Sequence, residues 1–238
     1  MKACANSFIL SVPSWVIPGT YAENLRFLET QQEIQGVELL FFIYNDEVKA
    51  QLDSEWDEIR NYRERFVFTA HLPELLLAAH SELVARLTPM VRHFIVHPDP
   101  KDPVAQVRLL DEWTKDHGAA FLMENTNPGL LEAQLLHMDR GAGLCMDTGH
   151  LLLDGKNPVD FFAAYRERIM EIHLHAVDRE QAAIDGRLAD HRRLRKDEPW
   201  LLELLPLLND YRGVINLEVF SWEEAESGVE ILKKLIHK

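Results

Sequence analysis

Eight short apolar segments recur along the chain, and helical or polar stretches separate each from the next. Apolar runs of this length, bounded by Gly, Pro or charged residues, are typical of buried strands. Apolar residues at helical spacing, as in Tyr21–Ile34, predict amphipathic helices instead. The predicted strands are Ala3–Leu10, Gly36–Phe42, Phe66–His71, Arg92–His97, Ala119–Glu124, an apolar run from Ala142 to Asp147, Ile169–His175 and Gly213–Val219.

This alternation predicts an α/β fold, a single (β/α)8 TIM barrel that spans residues 1–238. The chain contains no linker and no low-complexity segment that would divide it into domains. A doubly wound sheet is the main alternative. It is disfavoured because no GxGxxG turn follows the first predicted strand and no GxxxxGK[ST] motif occurs in the chain.

The charge and composition of the chain argue against several kinds of binding partner. The formal net charge of -14 repels a phosphate backbone, so long nucleic acid is not expected as a partner. No window approaches the roughly 20 apolar residues of a membrane span. Cys4 and Cys145 lack CxxC spacing and lie in predicted strands, which predicts buried, reduced thiols. Together these features predict a cytoplasmic protein without membrane contact.

Metal-binding side chains stand at the ends of six successive predicted strands, and a barrel brings such ends around one axis. Burying a carboxylate beside an imidazole costs free energy unless the two are paired or bound to a cation. His191, in the loop after the seventh predicted strand, can reach back over the mouth. The strand-end residues are His71, His97, Glu124, Asp147 with His150 three residues later, His173 and Glu218.

A single histidine of this kind is more often a structural residue than a ligand, but a series over six strands favours a metal site. Seven or eight donors exceed what one tetrahedral zinc uses. The series therefore predicts a divalent metal cluster of two to three ions, with zinc first and manganese, iron or cobalt as alternatives. His175 lies two residues after His173 and faces the same way, so it is expected to support a ligand or contact substrate.

The motifs around these positions resemble the AP endonuclease 2 / xylose isomerase-like TIM-barrel superfamily, and they cover essentially the whole chain. The resemblance to the endonuclease IV pattern implies that His71 and His97 hold one ion and that Glu124 and Glu218 bridge. Asp147, His150 and His173 would complete the others. The motifs are Thr69-Ala70-His71, Val96-His97-Pro98, Met123-Glu124-Asn125-Thr126, Met146-Asp147-Thr148-Gly149-His150, Ile172-His173-Leu174 and Leu217-Glu218.

One departure concerns the loop after the seventh strand. Endonuclease IV has an Asp-x-His pair there, whereas Asp190 and His191 are adjacent in this chain. At most one of them can occupy the position of its counterpart. Whether they complete a third metal position is therefore left open.

Other segments resemble a smaller branch, the cobamide-remodelling phosphodiesterases. That resemblance implies hydrolysis of the nucleotide loop of coenzyme B12-type cobamides, so that the lower ligand can be replaced. The segments that carry it are Ser14–Pro18, Asn24–Leu28, Ile172–Val177, Asp190–Leu194, Tyr211–Val214 and Leu217–Phe220.

The working hypothesis is a metal-dependent phosphodiesterase for a small phosphorylated substrate, with Glu124 and Glu218 as catalytic residues. Arg179 and Arg192, or Arg193 in place of the latter, are candidates for substrate binding, and ordinary surface charge is the alternative.

Two rivals remain. A sugar isomerase or epimerase would use one ion and leave His71 and His97 without a metal role. Arg179, six residues after His173, resembles the substrate-binding arginine of the ketose epimerases and supports this rival. The second alternative is a non-catalytic protein that binds a corrinoid or a sugar.

Overall fold

In the computed structural model, eight parallel strands pair in chain order, and the last pairs with the first to close a barrel. The structure describes residues 8–126, 128–139, 141–178, 180 and 189–236. This topology confirms the predicted (β/α)8 fold. The strands are β1 (Ile9–Pro13), β2 (Gly36–Leu40), β3 (Val67–His71), β4 (Val91–Val96), β5 (Phe121–Glu124), β6 (Gly143–Asp147), β7 (Ile169–His173) and β8 (Val214–Asn216).

Helices follow the strands and cover the outside of the barrel. Their ends carry sequence signals: a capping box of Thr20 and Glu23 begins the first helix, and Asp102 caps the fourth, with Pro103 in its first turn. Gly118 ends that fourth helix in the left-handed conformation. The α-helices whose bounds lie within the described residues are α1 (Tyr21–Glu29), α2 (Asp46–Asn61), α3 (Ser81–Leu87), α4 (Pro103–His117), α5 (Pro128–Leu135), α6 (Thr148–Leu153), α7 (Pro158–Tyr165), α8 (Pro199–Leu204) and α9 (Trp222–Ile236).

The element boundaries differ from the predicted ones at a few places. β1 runs to Pro13 and not to Leu10, and β8 ends at Asn216 although its apolar run continues to Val219. The helix expected over Leu201–Leu208 is α8 followed by a 3₁₀ helix, because Pro206 lacks the N–H that would continue the α-helical ladder. The number and order of strands are unaffected.

The core lies mainly between the strands and the helices. Leu25 and Leu28 of α1 and Trp113 of α4 are buried against it. Cys145 is a buried free thiol, as predicted, while Cys4 lies outside the described residues. Across the part of the chain that the structure describes, no helix is both long enough and apolar enough to cross a membrane.

Candidate metal centre

Two side chains lock the ends of neighbouring strands beneath the candidate site. The Asn125 amide donates to the Asp147 carbonyl at 2.9 Å and accepts from the Asp147 N–H at 2.7 Å, which fixes β5 to β6. The Thr148 hydroxyl donates to the His175 carbonyl at 2.7 Å and accepts from the His175 N–H at 3.0 Å, which fixes β6 to the segment after β7. The EN and DT motifs thus hold the ligand-bearing strand ends in register.

Glu124 joins two groups of imidazoles. Its Oε2 lies 3.2 Å from His71 Nε2 and 2.7 Å from His97 Nε2, and its Oε1 lies 2.9 Å from His173 Nδ1. His71 Nδ1 lies 2.9 Å from the Leu72 carbonyl, so this nitrogen carries the proton and Nε2 presents its lone pair to the site. Each carboxylate oxygen of Glu124 therefore faces a different donor set.

His173 lies at the centre of the second set. Its Nδ1 is 3.1 Å from Glu218 Oε2 and 3.9 Å from Asp147 Oδ2. Asp147 Oδ1 accepts the His150 N–H at 2.7 Å and caps α6, which leaves Oδ2 for the site. Glu218 Oε2 is buried and has no hydrogen-bond partner within the described ranges.

His175 is fully buried and lies among acidic side chains. Its Nε2 is 3.0 Å from Asp147 Oδ2 and 3.7 Å from Glu218 Oε2, and its Nδ1 is 3.4 Å from Asp190 Oδ1. The His191 ring packs beside it at a centroid distance of 4.5 Å. The structure thus places His175 within the cluster, and its predicted contact with substrate remains a prediction.

The structure places both Asp190 and His191 near the cluster. His191 has a φ of 51°, a left-handed conformation that is uncommon outside glycine and that turns the chain between the two side chains. Asp190 Oδ2 lies 3.5 Å from His150 Nε2, and His191 Nδ1 lies 3.7 Å from Glu218 Oε2. Both side chains therefore lie beside the donor atoms already described.

Burial and charge oppose each other in the pKa values of this cluster. Burial alone would raise the pKa of Glu124, but the imidazoles of His173 and His97 hold it well below its usual range. Burial would lower the pKa of His173, but its acidic neighbours, first Cys145 and then Glu218, raise it well above its usual value. The carboxylates therefore remain ionised only because positive charge lies beside them.

The outer part of the cluster behaves in the same way. Burial opposes the charged form of His175, yet Asp147 raises the pKa of this imidazole to about 9. Burial likewise opposes the ionised Asp147, but His150 and His175 hold its pKa well below its usual range. For His71, burial dominates and lowers the pKa, which favours the neutral imidazole that binds metal.

Several groups of buried donor atoms lie close enough together to hold a metal ion. Ligands about 2.0–2.2 Å from a shared ion lie within about 4.4 Å of one another. The donor atoms in each observed set lie within 4.8 Å of one another, which is close to this limit. Three of these sets are His71, His97 and Glu124; Glu124, Asp147, His173 and Glu218; and His175, His191 and Glu218.

Arg192, one of the predicted substrate-binding arginines, is not part of this cluster. Arg192 is exposed, and its backbone pairs with Ala176 beside a cavity of about 1310 Å³ that Arg193 and Arg195 also line. No member of the cluster appears among the described residues lining that cavity. Arg179 lies outside the described residues.

A buried polar layer inside the barrel was not predicted. Glu38 Oε2 lies 2.8 Å from His173 Nε2, and Glu171 Oε2 lies 2.5 Å from His93 Nε2. Glu171 is two residues before His173, so the period of two along a strand could have identified it as inward-facing. The signal for Glu38 is a charged residue within the apolar run Gly36–Phe42.

The close approach at Gly149 yields a prediction. A Cβ atom at this position would lie 1.9 Å from His175 Cε1 and 2.7 Å from Asp190 Oδ1. We expect G149A to displace His175, weaken metal binding and lower the free energy of unfolding by about 1–3 kcal/mol, the usual cost of overpacking. Chelator competition and thermal unfolding measure the two effects.

Gly141 provides the matched control, because a Cβ atom there would meet nothing within 4 Å. G141A should bind metal as the wild type does. Equal metal affinity in G149A and wild type would contradict the close packing at Gly149.

No protein-family model matches the chain, and no curated protein matches it in sequence. Solved structures with the same fold include the probable 3-DHS dehydratase AsbF, involved in petrobactin synthesis, from Bacillus anthracis. Its TM-score is 0.65 at 14% identity, over 96% of this chain and 98% of that one.

Two further solved structures are similar. Endonuclease IV from Thermus thermophilus has a TM-score of 0.63 at 16% identity, over 96% of this chain and 99% of that one. A sugar phosphate isomerase/epimerase from Parabacteroides distasonis has a TM-score of 0.61 at 10% identity, over 96% and 98%. At such low sequence identity, the structural similarity establishes the shared fold and does not identify the reaction.

Proposed function

We propose that this chain is a metal-dependent phosphodiesterase of the xylose isomerase-like superfamily, with a centre of at least two divalent ions. The observation that carries the proposal is the position of Glu124. Its Oε2 lies near His71 and His97, and its Oε1 lies near His173. A carboxylate between two imidazole-containing donor sets is suited to bridging two ions.

Each residue of the site would have a distinct role. His71, His97 and Glu124 would hold one ion, and Glu124 would share a second with three further ligands. Glu124 Oε1 and Glu218 Oε2 lie 2.9 Å and 3.1 Å from His173 Nδ1, so these two carboxylates would hold ions and orient an attacking water. Divalent ions at such a site neutralise charge on phosphoryl oxygens and make a water more acidic. The ligands that complete the second set are Asp147, His173 and Glu218.

The substrate proposed is small and phosphorylated, and we propose the nucleotide loop of a cobamide. This finer proposal rests on the sequence segments that resemble the cobamide-remodelling branch. Two half-exposed or exposed aromatic rings beside the cluster are compatible with a bulky substrate: Phe42 packs 4.5 Å from the His71 ring, and Phe220 packs 4.9 Å from the His191 ring. The net charge of -14 supports a small phosphodiester over long nucleic acid.

The test is a chromatographic assay of metal-loaded protein with adenosylated cobamide. We expect release of the lower-ligand riboside, and we expect H97A to lose the activity because its imidazole faces the bridging carboxylate. His117 hydrogen-bonds to Ser81 on the outside of the barrel, so H117A is the matched control and should retain activity.

A sugar isomerase is the second candidate. The set of Glu124, Asp147, His173 and Glu218 is complete for one ion, which is what an isomerase of this fold requires. Intact cobamide together with conversion of a ketose by both wild type and H97A would overturn the phosphodiesterase proposal in favour of this one.

A further inference from the structure

Two buried Glu–His pairs lie inside the barrel, below the metal-binding side chains. Glu38 of β2 is fully buried, and its Oε2 lies 2.8 Å from His173 Nε2. The Asn216 amide donates to the same oxygen at 3.1 Å. The second pair is Glu171 with His93. Among the described residues, Glu171 hydrogen-bonds to His93 and Thr69, and neither Glu171 nor His93 hydrogen-bonds to Glu124 or to another strand-end donor.

We propose that Glu38 is a positioning residue for the metal centre, which holds the Nε2–H of His173 so that Nδ1 faces the ion. This inference rests on the proposed metal centre and extends it to a residue that touches neither ion nor substrate.

The two nitrogens of the His173 imidazole have different neighbours. A neutral imidazole carries one N–H, and the other nitrogen binds metal. His173 Nδ1 faces Glu124 Oε1 at 2.9 Å and Glu218 Oε2 at 3.1 Å, so Nδ1 is the nitrogen directed at the centre. With an ion at Nδ1, the N–H lies on Nε2, where Glu38 would accept it. A carboxylate in this position fixes the ring and makes the ligand nitrogen more basic.

Asn216 makes the placement rigid. Its amide donates to Glu38 Oε2, so the oxygen that accepts from His173 is itself held by β8. β2 and β8 both flank β1, so Glu38 and Asn216 approach one another from either side of that strand.

The experiment compares E38A and E38Q with E171A, a matched control in the other buried pair. Zinc affinity is measured by chelator competition, the visible spectrum is recorded after cobalt substitution, and thermal unfolding is followed by circular dichroism. We expect E38A to lose about 10–100-fold in affinity for the ion that His173 holds and to show an altered cobalt spectrum. E38Q should lie closer to wild type, because its amide oxygen still accepts the imidazole N–H.

E171A should lose stability as E38A does, yet keep the wild-type affinity and spectrum. Equal loss of affinity in E38A and E171A would overturn the proposal, because it would indicate a general disturbance of the barrel interior. Loss of one whole ion in both variants would also overturn it, because Glu38, Glu171 and His173 would then themselves hold an ion.

The experiment tests the metal centre and the role of Glu38 separately. A wild-type protein that binds no ion contradicts the proposed metal centre. Unchanged affinity and spectrum in E38A, with normal metal binding in wild type, contradict only the role of Glu38.

Discussion

Glu124→Gln is expected to weaken metal binding in both donor sets at once. Glu124 Oε2 faces His71 and His97, and Oε1 faces His173, so one amide substitution changes the ligand field on both sides. An amide nitrogen cannot coordinate, and the side chain loses the negative charge that compensates two cations. We expect a loss of affinity larger than the about 10–100-fold that follows loss of an outer partner.

Elemental analysis after gel filtration measures this effect, and the cleavage assay should show activity lost in parallel. Glu112 is exposed on α4, so E112Q makes the same chemical change outside the site and should leave metal content and activity unchanged. If E124Q retained the full complement of ions, the bridging role of Glu124 would be refuted.

Removal of metal is expected to lower stability, and the effect should grow with pH. In the metal-free protein, the pKa of His175 is about 9, above its unfolded value near 6.5. A raised folded-state pKa contributes stability that is fully present below about pH 6.5 and is lost as pH rises toward 9, roughly 3 kcal/mol in all.

Metal-loaded protein should behave differently, because ions replace those protons as the compensating charge. Each ion at 1,000 times its dissociation constant adds about 4 kcal/mol to the free energy of unfolding. Proton competition weakens as pH rises, so metal binding tightens in the same range. The difference in melting temperature between loaded and chelated protein should therefore widen from pH 6 to pH 9.

Thermal unfolding at several pH values, with and without chelator, measures that difference. H175Q should flatten the pH dependence of the chelated protein, because it removes a titrating group. A difference that stays constant or shrinks as pH rises would contradict the assignment of protons and metal to the same side chains.

The sequence was sufficient for the fold because eight apolar runs alternate with helical segments. Boundaries were less accurate where apolar character extends beyond the paired residues. β8 pairs only as far as Asn216, although the apolar run continues to Val219. Glu218 therefore lies just after the strand.

The convergence of the strand-end side chains could be predicted because a parallel barrel directs the ends of all its strands to one face. The convergence of His71, His97 and His173 on Glu124 follows from that geometry. The contribution of Asp190 together with His191 could not be predicted, because it depends on a left-handed backbone conformation at His191.

The buried layer below the ligands was harder to predict for a different reason. Glu38 looks like an interruption of an apolar strand, and its partner His173 is 135 positions away in sequence. Only the closed barrel brings them together. Glu171 and His93 are also far apart in sequence, by 78 positions, so their contact was equally hard to predict.

Elemental analysis of metal-loaded wild type and H97A tests the central claim most directly. The account predicts two or more divalent ions per chain in the wild type and the loss of one ion in H97A, because His97 belongs to one donor set only. A single ion, equally bound by wild type and H97A, would contradict a bridged centre at Glu124.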